Sequence, residues 1–312
     1  MGIFTATLSQ TAFLFLFIVL GYVLSKKKLV PANGQVTLSK LENAVFIPAL
    51  VLGTFMGNFT VEKLSFAWEL LLGSVGLLAI AVAVSLVCVR FCSKDQYERN
   101  IYTYGLCFSN FGFMGNAVVS ALFPDIFLEY LIFTLPLWTL IYLWGVPVLL
   151  MGGEGKITLK QRLKNFVNPM FICMLVGMAV GLLNIPVPEF ISSAVTTAGS
   201  CMSPVAMLLT GMTIAQFDLG AILRIKSVYL VTALRLLVFP GIFLGVMPIC
   251  PMPEIFATCA ICSLAMPLGL NTIIIPSALG KDTKVASGMA VVSHILACLT
   301  IPVIFMIFDW LI

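Results

Sequence analysis

Gly21 recurs as Gly177, Pro48 as Pro204 and Thr54 as Thr210, all at one spacing, half the length of the chain. One residue further out, Gly112 recurs as Gly269 and Ser120-Ala121-Leu122 as Ser277-Ala278-Leu279; one residue short of it, Pro147 recurs as Pro302. Apolar matches are cheap in a sequence that is 61% hydrophobic. Gly and Pro matches carry more, because these residues punctuate backbone geometry. The chain reads as two copies of one unit. If each copy crosses a membrane an odd number of times, the second stands upside down relative to the first.

With 10% charged residues and a mean hydropathy of +1.11, the chain cannot cover a globule with polar side chains. Apolar stretches of about 20 residues, enough to span a bilayer, recur throughout. Ten are recognisable, centred near Leu16, Leu52, Leu78, Phe113, Leu140, Leu175, Met207, Leu237, Ile273 and Leu299. They are apolar all round, whereas strands of a membrane barrel alternate. The fold class is all-α integral membrane, with ten transmembrane helices.

The net charge of +4 is not a nucleic-acid signal, because of where the charges lie. Lys26, Lys27 and Lys28 follow the first stretch; Arg90, Lys94 and Arg99 the third; Lys156, Lys160, Arg162 and Lys164 the fifth. Arg224 and Lys226 follow the seventh, and Lys281 and Lys284 the ninth. The other connections hold Glu62, Asp125, Glu129, Glu189 and Glu254, with Lys63 the lone base. The positive-inside rule places the odd-numbered exits in the cytoplasm and both termini outside. Residues 1–151 form the first five-helix repeat, 152–166 a cytoplasmic connecting loop with an amphipathic character, and 167–312 the second, inverted repeat.

Several signals are excluded. The N-terminal apolar run carries its positive charges after it, unlike a cleavable signal peptide. Gly153, Gly155 and Lys156 look superficially like a phosphate loop, but Leu150 and Ile157 occupy required positions, so no nucleotide site is expected. Of nine cysteines most lie within spans, and Cys259 and Cys262 have neither a second pair nor a nearby histidine. They are read as helix-packing residues. No metal, cofactor or enzyme active site is expected.

Polar and helix-breaking residues in mid-span carry the chemistry. The fourth stretch holds Asn110, Gly112, Gly115 and Asn116; the ninth holds Pro267, Gly269, Asn271 and then Pro276. A proline costs about 3 kcal/mol in a helix interior and a glycine about 1 kcal/mol relative to Ala. In lipid such breaks persist only where the freed backbone faces protein or a wet cavity. In an inverted pair the two broken helices meet near the midplane. Their half-helix N-termini then direct positive dipole ends at one point, with Asn110, Asn116 and Asn271 adding neutral donors and Gly112, Gly115 and Pro267 supplying the breaks. That combination suits a small organic anion, above all a carboxylate.

Pro48 with Thr54, and Pro204 with Thr210, are candidates to line the opposite wall. Arg235 lies in mid-span, where a charge costs about 2.5–3.5 kcal/mol; it is a candidate counter-charge, with Glu69 or Glu42 as its expected partner. His294, the only histidine, is a candidate for proton coupling. Glu42 is expected at the interface.

At LENAVFIPALVLGTF, SNFGFMGNAVV, AMPLGLNTIIIPSALG and VVSHILACLTIPVIF the chain resembles the auxin efflux carrier family, the PIN-like and bacterial organic-acid carriers. The resemblance covers essentially the whole length. Its most specific part is Pro267 and Asn271 followed by Thr300 and Pro302. It implies broken, crossing helices 4 and 9 holding substrate, a scaffold of helices 1, 2, 6 and 7, an elevator-type movement of the rest, and homodimers through the scaffold. One departure is Ala117, where the family commonly has proline; Gly112 and Gly115 are left to supply the first break.

The expected function is secondary active transport of a small organic anion across the plasma membrane, driven by protons or by the membrane potential. A sodium-coupled carrier of the bile-acid type would need a carboxylate or a dense polar cage, and no acid lies near either break. A channel or a membrane sensor is the alternative from another class.

Overall fold

The computed structural model describes residues 3–31, 33–151, 167–218, 220 and 223–312, and every regular element among them is a helix. Among the described residues seven helices are long and apolar enough to cross a membrane: α1 (Ile3–Lys26), α2 (Gly34–Asn58), α3 (Val61–Cys92), α6 (Pro124–Leu150), α8 (Glu189–Ile214), α9 (Lys226–Val246) and α12 (Lys284–Leu311). The shorter ones are α4 (Gln96–Cys107), α5 (Phe111–Leu122), α7 (Pro169–Leu182), α10 (Glu254–Leu264) and α11 (Asn271–Ala278).

Seven of the ten expected crossings are thus continuous helices of full length. The fourth is divided into α4 and α5, and the ninth into α10 and α11. The sixth, α7, has 14 residues, about 21 Å at the α-helical rise, short of a hydrocarbon core about 30 Å thick. It ends where Asn184 turns left-handed, with φ of 48°. The expected connecting loop, 152–166, lies outside the described residues.

Helix starts follow local chemistry. Thr60 accepts from the Lys63 N–H, Asp95 from the Glu98 N–H and Asn168 from the Phe171 N–H, each satisfying a donor with no partner inside its helix. Prolines sit beside widened π turns. Pro48 follows Glu42–Phe46, Pro240 follows Leu234–Val238, and Pro147 lies inside Ile141–Leu150. A proline lacks the N–H and clashes with the carbonyl of the preceding turn, and an extra residue per turn shifts that carbonyl aside.

α1 packs on α8 and α12, α2 on α7 and α8, and α3 on α4 and α6. Glycines set the closest approaches. A Cβ on Gly21 would collide with the Leu208 carbonyl of α8, and one on Gly211 with the Ile18 carbonyl of α1. On α7, a Cβ at Gly177 would stand 2.9 Å from the Phe55 Cβ and one at Gly181 2.7 Å from the Phe55 carbonyl oxygen, both on α2. Backbone contact of this kind drives helix association where burial from water does not. Leu16, Leu72, Ile80, Phe91 and Leu299 face outward, whereas Tyr102, Phe108, Phe133, Met266 and Phe305 are buried. An apolar exterior around a packed interior is what a lipid solvent requires.

Candidate functional site

The first interruption runs from Phe108 to Asn110, between α4 and α5; the second runs from Ala265 to Leu270, between α10 and α11. They meet. Ser109 and Leu268 form an antiparallel bridge, and the Asn110 N–H donates to the Pro267 carbonyl at 2.7 Å. Ser109 Oγ donates to the Ser263 carbonyl at 2.9 Å, and the Leu268 N–H donates to Ser293 Oγ on α12 at 3.3 Å. Backbone groups released by one interruption are therefore satisfied by the other, which is how non-helical chain can be buried. Gly269 makes the approach close: a Cβ there would stand 2.9 Å from the Phe108 carbonyl oxygen.

A small cavity of about 20 Å³ lies at this meeting point. Its walls include residues 109–113 and 269–271, the ends of the two interruptions and the first residues of α5 and α11. The leading N–H groups of a helix have no partner within it, and the dipole makes that end positive. Tyr104, Trp138 and Ile141 complete the enclosure. No basic side chain is among the lining residues, and the starts of α5 and α11 present partial positive charge there.

Of the residues expected at the site, Asn110, Gly112, Gly269 and Asn271 line this cavity, while Gly115, Asn116 and Pro267 do not. Asn271 Nδ2 donates to Tyr104 Oη at 3.0 Å. Asn116 is buried with its Oδ1 unpartnered. Gly112 and Gly115 do not form the first break, which falls earlier; both are helical, within the π turn Phe111–Gly115. Their lack of a side chain serves packing. A Cβ on Gly112 would stand 2.7 Å from the Trp138 ring, and one on Gly115 would meet the Tyr130 hydroxyl, which donates to the Phe111 carbonyl at 3.2 Å.

His294 lies directly behind Asn110. Its Nδ1 is 2.8 Å from the Ala290 carbonyl oxygen, which can only accept, so Nδ1 carries the proton. Its Nε2 then accepts from Asn110 Nδ2 at 2.9 Å. Both ring nitrogens are engaged, and the ring orients the Asn110 amide.

Arg235 pairs with neither expected glutamate. Its guanidinium donates to three backbone carbonyls: Nε to Met266 at 3.2 Å, Nη1 to Leu106 at 3.1 Å and Nη2 to Ser263 at 2.7 Å. It is 2% exposed and does not line the crossover cavity. Glu69 is exposed, and Glu42 is fully buried among its neighbours, with neither carboxyl oxygen partnered. The threonines expected on the opposite wall spend their hydroxyls on their own helices, Thr54 on the Leu50 carbonyl and Thr210 on Ala206, each at 2.8 Å. Neither they nor Pro48 and Pro204 border the cavity.

Sequence reasoning missed Tyr104 and Trp138. Tyr104 sits in the mixed run Ile101-Tyr102-Thr103-Tyr104, where nothing singles it out from Tyr102, and Trp138 is one apolar residue among many on α6.

No curated protein matches the chain. A family profile described as "Membrane transport protein" matches residues 6–305, nearly the whole length. Together with its membrane-crossing helices, this makes the molecule a multi-pass membrane protein. The chain belongs to the auxin efflux carrier family of membrane transport proteins.

Proposed function

We propose that this protein is a secondary carrier that moves a small organic anion across the plasma membrane by alternating access, binding its carboxylate where the two interrupted helices meet. The observation that carries this reading is the cavity's lining: two helix N-termini and the amides of Asn110 and Asn271, with no basic side chain. Helix ends oriented in this way attract an anion without holding it as tightly as an arginine fork would. A carrier must release as well as bind. The potential supplies about 2.3 kcal/mol per charge per 100 mV, enough to drive export of a monoanion. Proton coupling, with His294 as its candidate relay, is the other source of drive.

The two halves are taken as inverted five-helix repeats, with both termini extracytoplasmic. Support comes from exchanged contacts: α1 packs on α8 through Gly21, and α7 packs on α2 through Gly177, its repeat counterpart. α1, α2, α7 and α8 would form the static scaffold and the dimer contact, and the helices carrying the interruptions would move elevator-fashion. A cavity of about 20 Å³ has room for about one water. Loading a carboxylate therefore requires Tyr104 and Trp138 to withdraw, as a cycle with open and closed states would have it.

The test is a thermal-shift screen of the purified protein against acetate, malonate, malate and indole-3-acetate, repeated with Asn110→Ala and Asn271→Ala. Stabilisation by a carboxylate, weakened at least tenfold in affinity by either substitution, is expected; unchanged affinity in both variants refutes the site. Saturable counterflow in liposomes separates a carrier from a channel.

A further inference from the structure

Among the described residues, Arg235 is the one arginine buried in the helical core, and it stands where two helices end. Leu106 is the penultimate residue of α4 and Ser263 the penultimate residue of α10, and both carbonyls accept from the Arg235 guanidinium. Leu106 and Ser263 are separated along the chain by the spacing that relates Gly112 to Gly269, so they are equivalent positions of the two copies. The third acceptor, Met266, lies inside the second interruption itself. The Ser263 carbonyl also accepts from Ser109 in the first interruption, so the arginine reaches the second interruption through Met266 and shares an acceptor with the first.

The last carbonyls of a helix lack partners within it, and each C-terminus carries about half a negative elementary charge. Two such ends facing one point amount to about one negative charge, and like poles repel. A guanidinium between them supplies one positive charge with donors held in a rigid fork. The counterparts of Arg235 in the first copy, Leu78 and Ala79 of α3, are apolar, so a single cation serves both ends. No salt bridge involves Arg235 among the described residues.

We propose that Arg235 is a positioning residue of the crossover: its charge offsets the carboxyl ends of α4 and α10 and holds the two interruptions against each other. The anion-attracting ends of α5 and α11 then face the cavity without two negative ends left uncompensated behind them. This role does not depend on which ligand the cavity takes.

Native cysteines report on it. Cys107 is the last residue of α4, and Cys262 precedes the accepting carbonyl on α10; both are buried, whereas Cys250 is exposed. N-ethylmaleimide labelling would be followed cysteine by cysteine by mass spectrometry in Arg235→Gln and Arg235→Lys. Glutamine keeps a donor but no charge, and lysine keeps the charge. The expected result is labelling of Cys107 and Cys262 at least tenfold faster in Arg235→Gln, within threefold of wild type in Arg235→Lys, and unchanged at Cys250. Wild-type rates in Arg235→Gln, or equal acceleration by Gln and Lys, overturns the proposal. Should Arg235→Gln fail to fold, Arg235→Lys decides alone, and a tenfold acceleration there overturns it equally.

Discussion

The backbone N–H of Asn110 donates to the carbonyl of Pro267 at 2.7 Å, so each of two interrupted helices closes a hydrogen bond that the other leaves open. The contact requires two backbones to run side by side. Gly269 permits this, since any Cβ there would press on the carbonyls of Phe108 and Ser109, at 2.9 and 3.3 Å. Gly269→Ala should cost about 1–3 kcal/mol, as overpacking of a fixed backbone does. Gly57→Ala, where a Cβ would meet nothing within 4 Å, should leave stability unchanged or slightly raised. Thermal unfolding of the two variants in one detergent checks the contrast.

Asn271 opens α11 and lines the cavity. Asn271→Asp places a carboxylate at a positive helix end, so the fold should be no less stable. A second carboxylate about 4 Å away would be repelled by about 4 kcal/mol at an effective dielectric of about 20, and affinity for the anion should fall at least about a hundredfold. Titration calorimetry beside a melting curve separates the two effects; loss of stability without loss of binding would contradict the reading.

The Asn110 amide has His294 as its acceptor, at 2.9 Å. His294→Leu leaves a buried donor without a partner and should cost about 1–3 kcal/mol. His294→Gln restores an acceptor and should recover most of that. Equal melting temperatures for the two variants would show that the bond contributes little.

Glu42 is fully buried and both its oxygens lack a partner. A polar group buried without compensation costs about 1–3 kcal/mol in proteins, so Glu42→Met should raise the melting temperature. A lowered one would mean that the carboxyl holds a partner essential to the fold.

Gly21 and Gly211 face each other's helices so closely that a Cβ on either would enter a carbonyl of the partner. Gly211→Leu should separate α1 from α8 and destabilise by more than about 2 kcal/mol. Its effect on melting should exceed that of Gly241→Leu, a position with open space around it.

The interruption at Pro267 and Gly269 was legible because proline and glycine act locally, through a missing donor and a missing side chain, whatever surrounds them. The first interruption lies ahead of Gly112 and Gly115, which are helical. It falls at Phe108–Asn110, where no residue breaks a helix by itself and where pairing with the second interruption makes the extended backbone affordable. Composition and charge order likewise determined the helical class, and the repeat indicated which segments are counterparts, because solvent and periodicity act on every residue alike. Tertiary structure alone decided that Arg235 binds carbonyls instead of a glutamate, that His294 orients Asn110, and that Tyr104 and Trp138 close the cavity. Backbone carbonyls have no sequence signature, and a ring becomes a wall only once another helix is placed opposite it.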